Sequence, residues 1–153
     1  MMSLAFDVIA HLQGKTLATA ESCTGGGIGD ALTAVPGASN VYKGGIISYC
    51  NEIKRDLLNV SAEMLQQHGA VSAPVAEAMA RGVRNALNAD IAVSVTGLAG
   101  PAGDEFGNPV GTVYIGYADE RICTYRRFCF AGDRAAVRAQ AIEAALKLIL
   151  ELS

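Results

Sequence analysis

Two nucleophilic side chains stand next to each other early in the chain, immediately before a run of glycines. Ser22 and Cys23 lie in the stretch TAESCTGGGIGD, and residues 25–27 are all glycine. The segment before Ser22 has the composition of a strand, and the segment after the glycines that of a helix. Glycines at the start of a helix leave backbone N–H groups uncovered, which favours a site for an anion or an oxyanion. A tight strand-to-helix turn without a ligand would explain the same glycines equally well.

The glycine run does not match the two best-known phosphate-binding motifs. The dinucleotide pattern G-x-G-x-x-G fails because its third glycine is replaced by Asp30 when counted from Gly25, and by Leu32 when counted from Gly27. A P-loop is excluded because no Gly-Lys-Ser/Thr follows. What remains is a turn whose free amides, around Thr24, Gly25 and Gly26, could hold an oxyanion.

A serine nucleophile needs a base, and the lysines offer a better candidate than the histidines. His11 and His68 lack a distinctive context, and ordinary surface or capping roles explain both. Lys54 falls in the first turn of a helix that we predict to begin at a cap, Asn51. The strand before it ends beside the Ser22 strand if the two are parallel, and open α/β sheets place their sites at that edge. The positive end of a helix dipole and burial both favour a neutral lysine, although most helix lysines are simply solvated.

The neighbours of these residues suggest a division of roles. Ser22 and Cys23 should point to opposite faces of an extended segment, and cysteine is the better residue to face a core. We therefore predict that Ser22 is the nucleophile and that Cys23 is structural. Tyr49, at the end of the strand before Lys54, could relay or position a proton, or could be an ordinary core or edge-strand aromatic.

Two further stretches place polar groups at the ends of elements. Thr96 and Gly97 end a buried strand, and Arg134 lies in the first turn of the last helix, with Arg138 one turn later. An arginine beside a helix N-terminus is well placed to bind phosphate. The alternative is that these arginines are solvated or paired with acidic neighbours such as Asp133.

The elements that must position these residues alternate between helix and strand. Helical spacing over residues 4–12 is followed by strands at 15–22, 41–50 and 90–97, with helices between them, and then by two consecutive strands near Asp119. Ser61 and Asp133 are predicted helix caps. This order predicts an α/β fold: a single domain forming a three-layer α-β-α sandwich with a mixed sheet of about five strands.

Composition limits the possible functions. A chain of 153 residues with 51% hydrophobic and 18% charged residues indicates one globular domain. A net charge of −3 argues against a nucleic-acid partner, and no apolar stretch approaches the ~20 residues of a membrane span. The four cysteines form no C-x-x-C pair and lie far from the histidines, so we predict no metal site and a cytoplasmic protein with reduced thiols.

Six stretches together resemble a known family. They are TAESCTGG, SYCNEIK, HGAVS, SVTGLAGP, PVGTVYIGYA and FAGDRAAVR. Their order is similar to that of the nicotinamide-nucleotide amidase family, also called the CinA carboxy-terminal-domain family, over residues 4–150. Many relatives have serine where this chain has Cys50, a change that leaves the spacing of Tyr49 and Lys54 intact.

The resemblance implies an activity, a substrate and a set of residues. The activity is hydrolysis of the carboxamide of nicotinamide mononucleotide to nicotinic acid mononucleotide and ammonia, in pyridine-nucleotide recycling. Ser22 would be the nucleophile, Lys54 and Tyr49 would complete the catalytic group, and Thr96 and Arg134 would contribute to the site. No cofactor is implied. The resemblance further implies a homo-oligomer and a stand-alone domain over residues 1–153, without the amino-terminal domain of longer members.

Two alternatives stay open from the sequence. One is a non-catalytic binding module associated with competence and recombination. The other is an amidase of the same mechanism that acts on a different small amide.

Overall fold

The computed structural model describes residues 2–153, in which helices alternate with the strands of one sheet. The helices are α1 (Met2–His11), α2 (Gly27–Thr33), α3 (Asn51–Leu58), α4 (Ala62–His68), α5 (Ala73–Ala86) and α6 (Arg134–Leu152), with one short 3₁₀ turn at Ala38–Asn40. The strands are β1 (Leu17–Glu21), β2 (Tyr42–Ile47), β3 (Ile91–Gly97), β4 (Thr112–Ala118) and β5 (Cys123–Cys129).

The five strands form a mixed sheet in the order β2-β1-β3-β4-β5. Strands β2, β1 and β3 are parallel, whereas β4 is antiparallel to β3 and β5 is antiparallel to β4. Every residue of β1 is buried, as expected for a parallel strand covered on both faces. The predicted α/β fold with a mixed five-stranded sheet is confirmed.

Two hydrophobic cores lie on opposite faces of the sheet. The first core contains apolar side chains of α1, α2 and α6, and the second contains those of α3, α4 and α5. Strand β1 contributes to both, because Leu17 packs into the first core while Ala18 and Ala20 pack into the second. Since side chains alternate along a strand, Ser22 continues the second-core side and Cys23 the first.

Local hydrogen bonds confirm two of the three predicted helix caps. The Ser61 hydroxyl accepts a bond from the Met64 amide at 3.0 Å, and the Asp133 carboxylate accepts one from the Ala136 amide at 2.9 Å. The prediction for Asn51 is wrong, because Asn51 is already helical and Cys50 is the capping residue. The Cys50 carbonyl accepts the Lys54 amide at 3.2 Å, so Lys54 lies four residues after the cap.

Among residues 2–153, no helix combines the length and the apolar character that a bilayer crossing needs.

Candidate active site

Ser22 and Lys54 meet at the carboxyl edge of the parallel strands. Ser22 follows β1, Lys54 comes from the first turns of α3, and the two residues are 7% and 1% exposed. The Lys54 Nζ lies 3.1 Å from the Ser22 Oγ and donates to the Ser48 carbonyl at 2.6 Å. The predicted nucleophile and base are therefore in direct hydrogen-bonding contact.

The surroundings of Lys54 favour its neutral form. Desolvation by burial lowers the pKa of its ammonium group below the ordinary value of 10.5. The nearby thiols of Cys50 and Cys23 act in the opposite direction and raise this pKa, but to a smaller extent. A neutral amine beside a hydroxyl can accept its proton, which is what activation of a serine requires.

The turn after Ser22 requires glycine at two positions. Gly25 and Gly26 have φ angles of 59° and 100°, in the left-handed region that glycine adopts without strain. The Gly25 amide donates to the Ser22 carbonyl at 3.0 Å. By contrast, the amides of Thr24 and Gly26 have no acceptor in the described part of the chain. The candidate oxyanion donors in this turn are therefore Thr24 and Gly26, while the Gly25 amide is used internally.

Glu21 is a site residue that sequence reasoning missed. Its carboxylate is 2% exposed and accepts from the Thr24 hydroxyl at 2.7 Å and from the amides of Ile28 and Gly29 at 2.9 and 3.0 Å. The N–H groups of Ile28 and Gly29, at the start of α2, therefore donate to this internal carboxylate. The N–H groups that remain for a substrate oxyanion are those of the turn before the helix. An acidic residue close before a predicted helix start was the available signal.

Arg138 holds the same turn from its carbonyl side. Its Nε donates to the Cys23 carbonyl at 3.0 Å and its Nη2 to the Thr24 carbonyl at 3.2 Å. In a trans peptide the N–H points away from the C=O, so fixing these carbonyls also fixes the direction of the Thr24 and Gly25 amides. The guanidinium of Arg138 is therefore occupied by the turn. From the sequence, Arg138 was only a second candidate beside Arg134 for binding phosphate.

Tyr49 and Arg134 form a second cluster. The Arg134 guanidinium donates to the Tyr49 hydroxyl at 2.9 Å and to the Gly100 carbonyl at 2.7 Å. Tyr49 is 62% exposed, and its hydroxyl makes no hydrogen bond to Ser22 or Lys54. The structure thus pairs Tyr49 with the predicted phosphate ligand, not with the predicted base.

Thr96 and Gly97 lie beside this site but make internal contacts. The Ser22 amide donates to the Val95 carbonyl at 2.9 Å, which places Thr96 next to Ser22 across β1 and β3. The Thr96 hydroxyl donates to the Ala70 carbonyl at 2.8 Å. A Cβ on Gly97 would lie 2.7 Å from Cγ2 of Val113, so close packing of β4 explains this glycine.

Cys23 has the environment of a core residue. It is 5% exposed within the first core, and burial raises the pKa of its thiol to about 11. A thiol with a raised pKa is a poor nucleophile. Among residues 2–153, no group of three or more His, Cys, Asp or Glu side chains is placed to hold a metal ion.

Comparison with known proteins identifies the family. The sequence model of the CinA C-terminal domain matches residues 2–153. This chain belongs to the CinA C-terminal domain family.

A CinA-like protein of Parasynechococcus marenigrum (strain WH8102) is 49% identical to the domain over 148 residues, which are 94% of this chain and 35% of that protein. A CinA-like protein of Geobacter sp. (strain M21) is 52% identical over 125 residues, which are 82% of this chain and 30% of that protein. The domain spans about a third of these relatives.

Solved structures of the family have the same fold. The competence damage-inducible protein A of Klebsiella pneumoniae superposes with a TM-score of 0.96 at 39% identity, covering 99% of this chain and 95% of that one. A CinA superfamily protein of Escherichia coli gives a TM-score of 0.97 at 34% identity, covering 99% and 90%. The fold and the family are established by these likenesses.

Proposed function

We propose that this CinA-family domain is an amidohydrolase that converts nicotinamide mononucleotide to nicotinic acid mononucleotide and ammonia. The observation that carries the proposal is the buried contact of 3.1 Å between the Lys54 Nζ and the Ser22 Oγ. Burial of a charged lysine costs free energy unless the group is paired and hydrogen-bonded, and the alternative is that it loses its proton. A lysine with a lowered pKa against a serine hydroxyl is a recognised way of activating the nucleophile.

The chemistry follows from these contacts. The Ser22 Oγ attacks the carboxamide carbon while the Lys54 amine takes the hydroxyl proton. The amides of Thr24 and Gly26 donate to the oxyanion that forms on the carbonyl oxygen. The C–N bond then breaks, the nitrogen leaves with a proton as ammonia, and water hydrolyses the acyl-serine.

The Arg134 cluster supports a substrate that carries phosphate. The Ser48 carbonyl binds Lys54, and the next residue, Tyr49, binds Arg134. The Ser22–Lys54 pair and the Tyr49–Arg134 cluster are therefore joined through adjacent residues of the chain. Arg134 is held by Tyr49 and by the Gly100 carbonyl, and a guanidinium held in place needs little further ordering to bind a phosphate. The family resemblance supplies the nicotinamide moiety and a homo-oligomeric state, and the cysteine pattern of the sequence supplies a cytoplasmic location, as parts of the same proposal.

Release of ammonia from nicotinamide mononucleotide tests the proposal. We expect turnover by the wild type, loss of turnover in Ser22→Ala, and near-normal turnover in the matched control Cys23→Ala. Both substitutions remove one small polar group from adjacent buried positions. An inactive Cys23→Ala together with an active Ser22→Ala would reverse the choice of nucleophile. Assay of a panel of other small amides would reveal a different substrate of the same mechanism.

A second candidate is a non-catalytic module in competence or recombination. The observation in its favour is that structural relatives are described as competence or damage-inducible proteins. A wild type that releases no ammonia from any amide would favour this alternative.

A further inference from the structure

The hydroxyl of Ser48 is buried and has no hydrogen-bond partner. Ser48 is 0% exposed, and its Oγ is the one fully buried side-chain nitrogen or oxygen in residues 2–153 that no protein group satisfies. Other buried hydroxyls of the same sheet are satisfied, because Ser94 donates to the Ala76 carbonyl at 2.6 Å and Thr96 to the Ala70 carbonyl. A buried hydroxyl without a partner is unfavourable for the fold, so Ser48 calls for a specific explanation.

The sheet places Ser48 directly beside Ser22. Strand pairing runs through Glu21 and Ile47, and the Ser48 amide donates to the Glu21 carbonyl at 2.8 Å. Ser48 therefore directly follows the last residue of β2, just as Ser22 directly follows the last residue of β1. Alternation along the two strands puts both side chains on the side of Ala20 and Ile46, which pack into the second core. Leu58 of α3 packs into the same core, and α3 also carries Lys54.

Lys54 is in contact with both serines. Its Nζ lies 3.1 Å from the Ser22 Oγ and 2.6 Å from the Ser48 carbonyl. An ammonium group has three N–H donors, so a proton gained from Ser22 leaves one donor beyond these two contacts. Tyr49 offers a hydroxyl nearby, but that hydroxyl already accepts from Arg134 and belongs to a largely exposed ring. The remaining candidate is the Ser48 hydroxyl. It bonds to no protein group, Lys54 included, but it belongs to the residue whose carbonyl holds the Lys54 Nζ, so a proton transfer requires the Ser48 side chain to turn towards Lys54.

We propose that Ser48 is a further catalytic residue, whose hydroxyl passes a proton from Lys54 to the departing amide nitrogen. This role rests on the proposed amidohydrolase function. As the Ser22 Oγ–C bond forms, the Ser22 proton moves to the Lys54 Nζ. As the C–N bond breaks, Lys54 gives a proton to the Ser48 Oγ, and Ser48 gives its own hydroxyl proton to the nitrogen. The net transfer is one proton from Ser22 to ammonia, and Lys54 and Ser48 regain their starting states.

Ser48→Ala separates this role from a structural one. Because the hydroxyl makes no bond in the fold, we expect the unfolding temperature of Ser48→Ala to equal or exceed that of the wild type. Turnover of nicotinamide mononucleotide should fall by about 10²-fold, at the lower end of what positioned proton transfer contributes, with little change in KM. Ser94→Ala is the matched control. It breaks a real hydrogen bond at an equally buried serine, so its unfolding temperature should fall by roughly 2–4 °C while kcat stays near normal.

A change of leaving group tests the proton transfer itself. A nitrophenyl ester of the same acyl group releases a phenolate, which departs without needing a proton. We therefore expect Ser48→Ala to hydrolyse the ester at nearly the wild-type rate while it fails on the amide. An equal loss on amide and ester, or an unchanged kcat on the amide, would overturn the role of Ser48. A wild type that hydrolyses no amide would instead overturn the proposed function, which keeps the two failures apart.

Discussion

Replacement of Lys54 by methionine tests the central contact of the site. Methionine keeps most of the stem volume of Lys54, which is 1% exposed, but removes the amine that lies 3.1 Å from the Ser22 Oγ. Loss of a positioned general base should reduce turnover of the proposed substrate by about 10²–10⁴-fold. In the wild type, kcat/KM should fall towards acidic pH as Lys54 becomes protonated, about tenfold per pH unit below its pKa.

The same substitution has a consequence for stability whose sign follows from the lowered pKa. Between that pKa and the ordinary 10.5, the unfolded chain holds a proton on Lys54 that the folded protein does not hold. Stability of the wild type should therefore rise with pH across this window, by up to about 1.4 kcal/mol per pH unit. Below the lowered pKa the cost of burying the charge is present in full, and above 10.5 it is gone. Lys54→Met lacks this contribution at every pH.

Two measurements check this reasoning. One is kcat/KM for ammonia release, and the other is the free energy of unfolding in urea, each from about pH 6 to about pH 10 in wild type and variant. The difference in unfolding free energy between the two proteins should shift in favour of the wild type as pH rises. Lys147→Met is a suitable control, because Lys147 is exposed and only pairs with Glu143 at 3.1 Å. A flat kcat/KM profile, or a stability difference independent of pH, would refute the lysine base.

Three further predictions concern the surrounding residues. Arg134→Ala should lower kcat/KM on the mononucleotide roughly 10–200-fold, from the loss of ~1.5–3 kcal/mol, but barely affect nicotinamide riboside, which lacks the phosphate. Equal losses on both substrates would make Arg134 structural. Tyr49→Phe removes one neutral hydroxyl and should cost at most about tenfold in kcat/KM, and a loss as large as that of Lys54→Met would contradict this. Gly116→Ala should lower the free energy of unfolding by about 1–3 kcal/mol, because its Cβ would lie 2.3 Å from the Ala76 carbonyl oxygen. An unchanged urea midpoint would refute that close approach.

The elements of the fold were predictable where their signals are local. The caps at Ser61 and Asp133 bond to amides only three residues away, so the residue types alone indicate them. Asn51 shows the limit of such signals, because asparagine is a good cap but the capping position falls one residue earlier, at Cys50. Alternation along β1 similarly allowed Cys23 to be assigned to the core and Ser22 to the opposite face.

The contacts of the site itself were much harder to predict. Lys54 was one of four lysines, and its burial beside Ser22 depends on the pairing of β1 with β2. Glu21 was overlooked because its partners become apparent only when the turn folds back over it. Tyr49 was expected near the base, yet its hydroxyl bonds to Arg134, a residue 85 positions away.

The sequence by itself determined the strand–turn–helix around Ser22, the α/β class and the family, because each depends on residue types at short spacing or in fixed order. Tertiary structure alone decided which groups remain free to react. It committed the Gly25 amide to Ser22, placed Arg138 on a carbonyl 114 residues distant, and left the Ser48 hydroxyl without a partner. The physical reason is that hydrogen-bond satisfaction is a property of the whole fold. A donor becomes free or occupied only when strand order and helix packing have brought its distant neighbours into place.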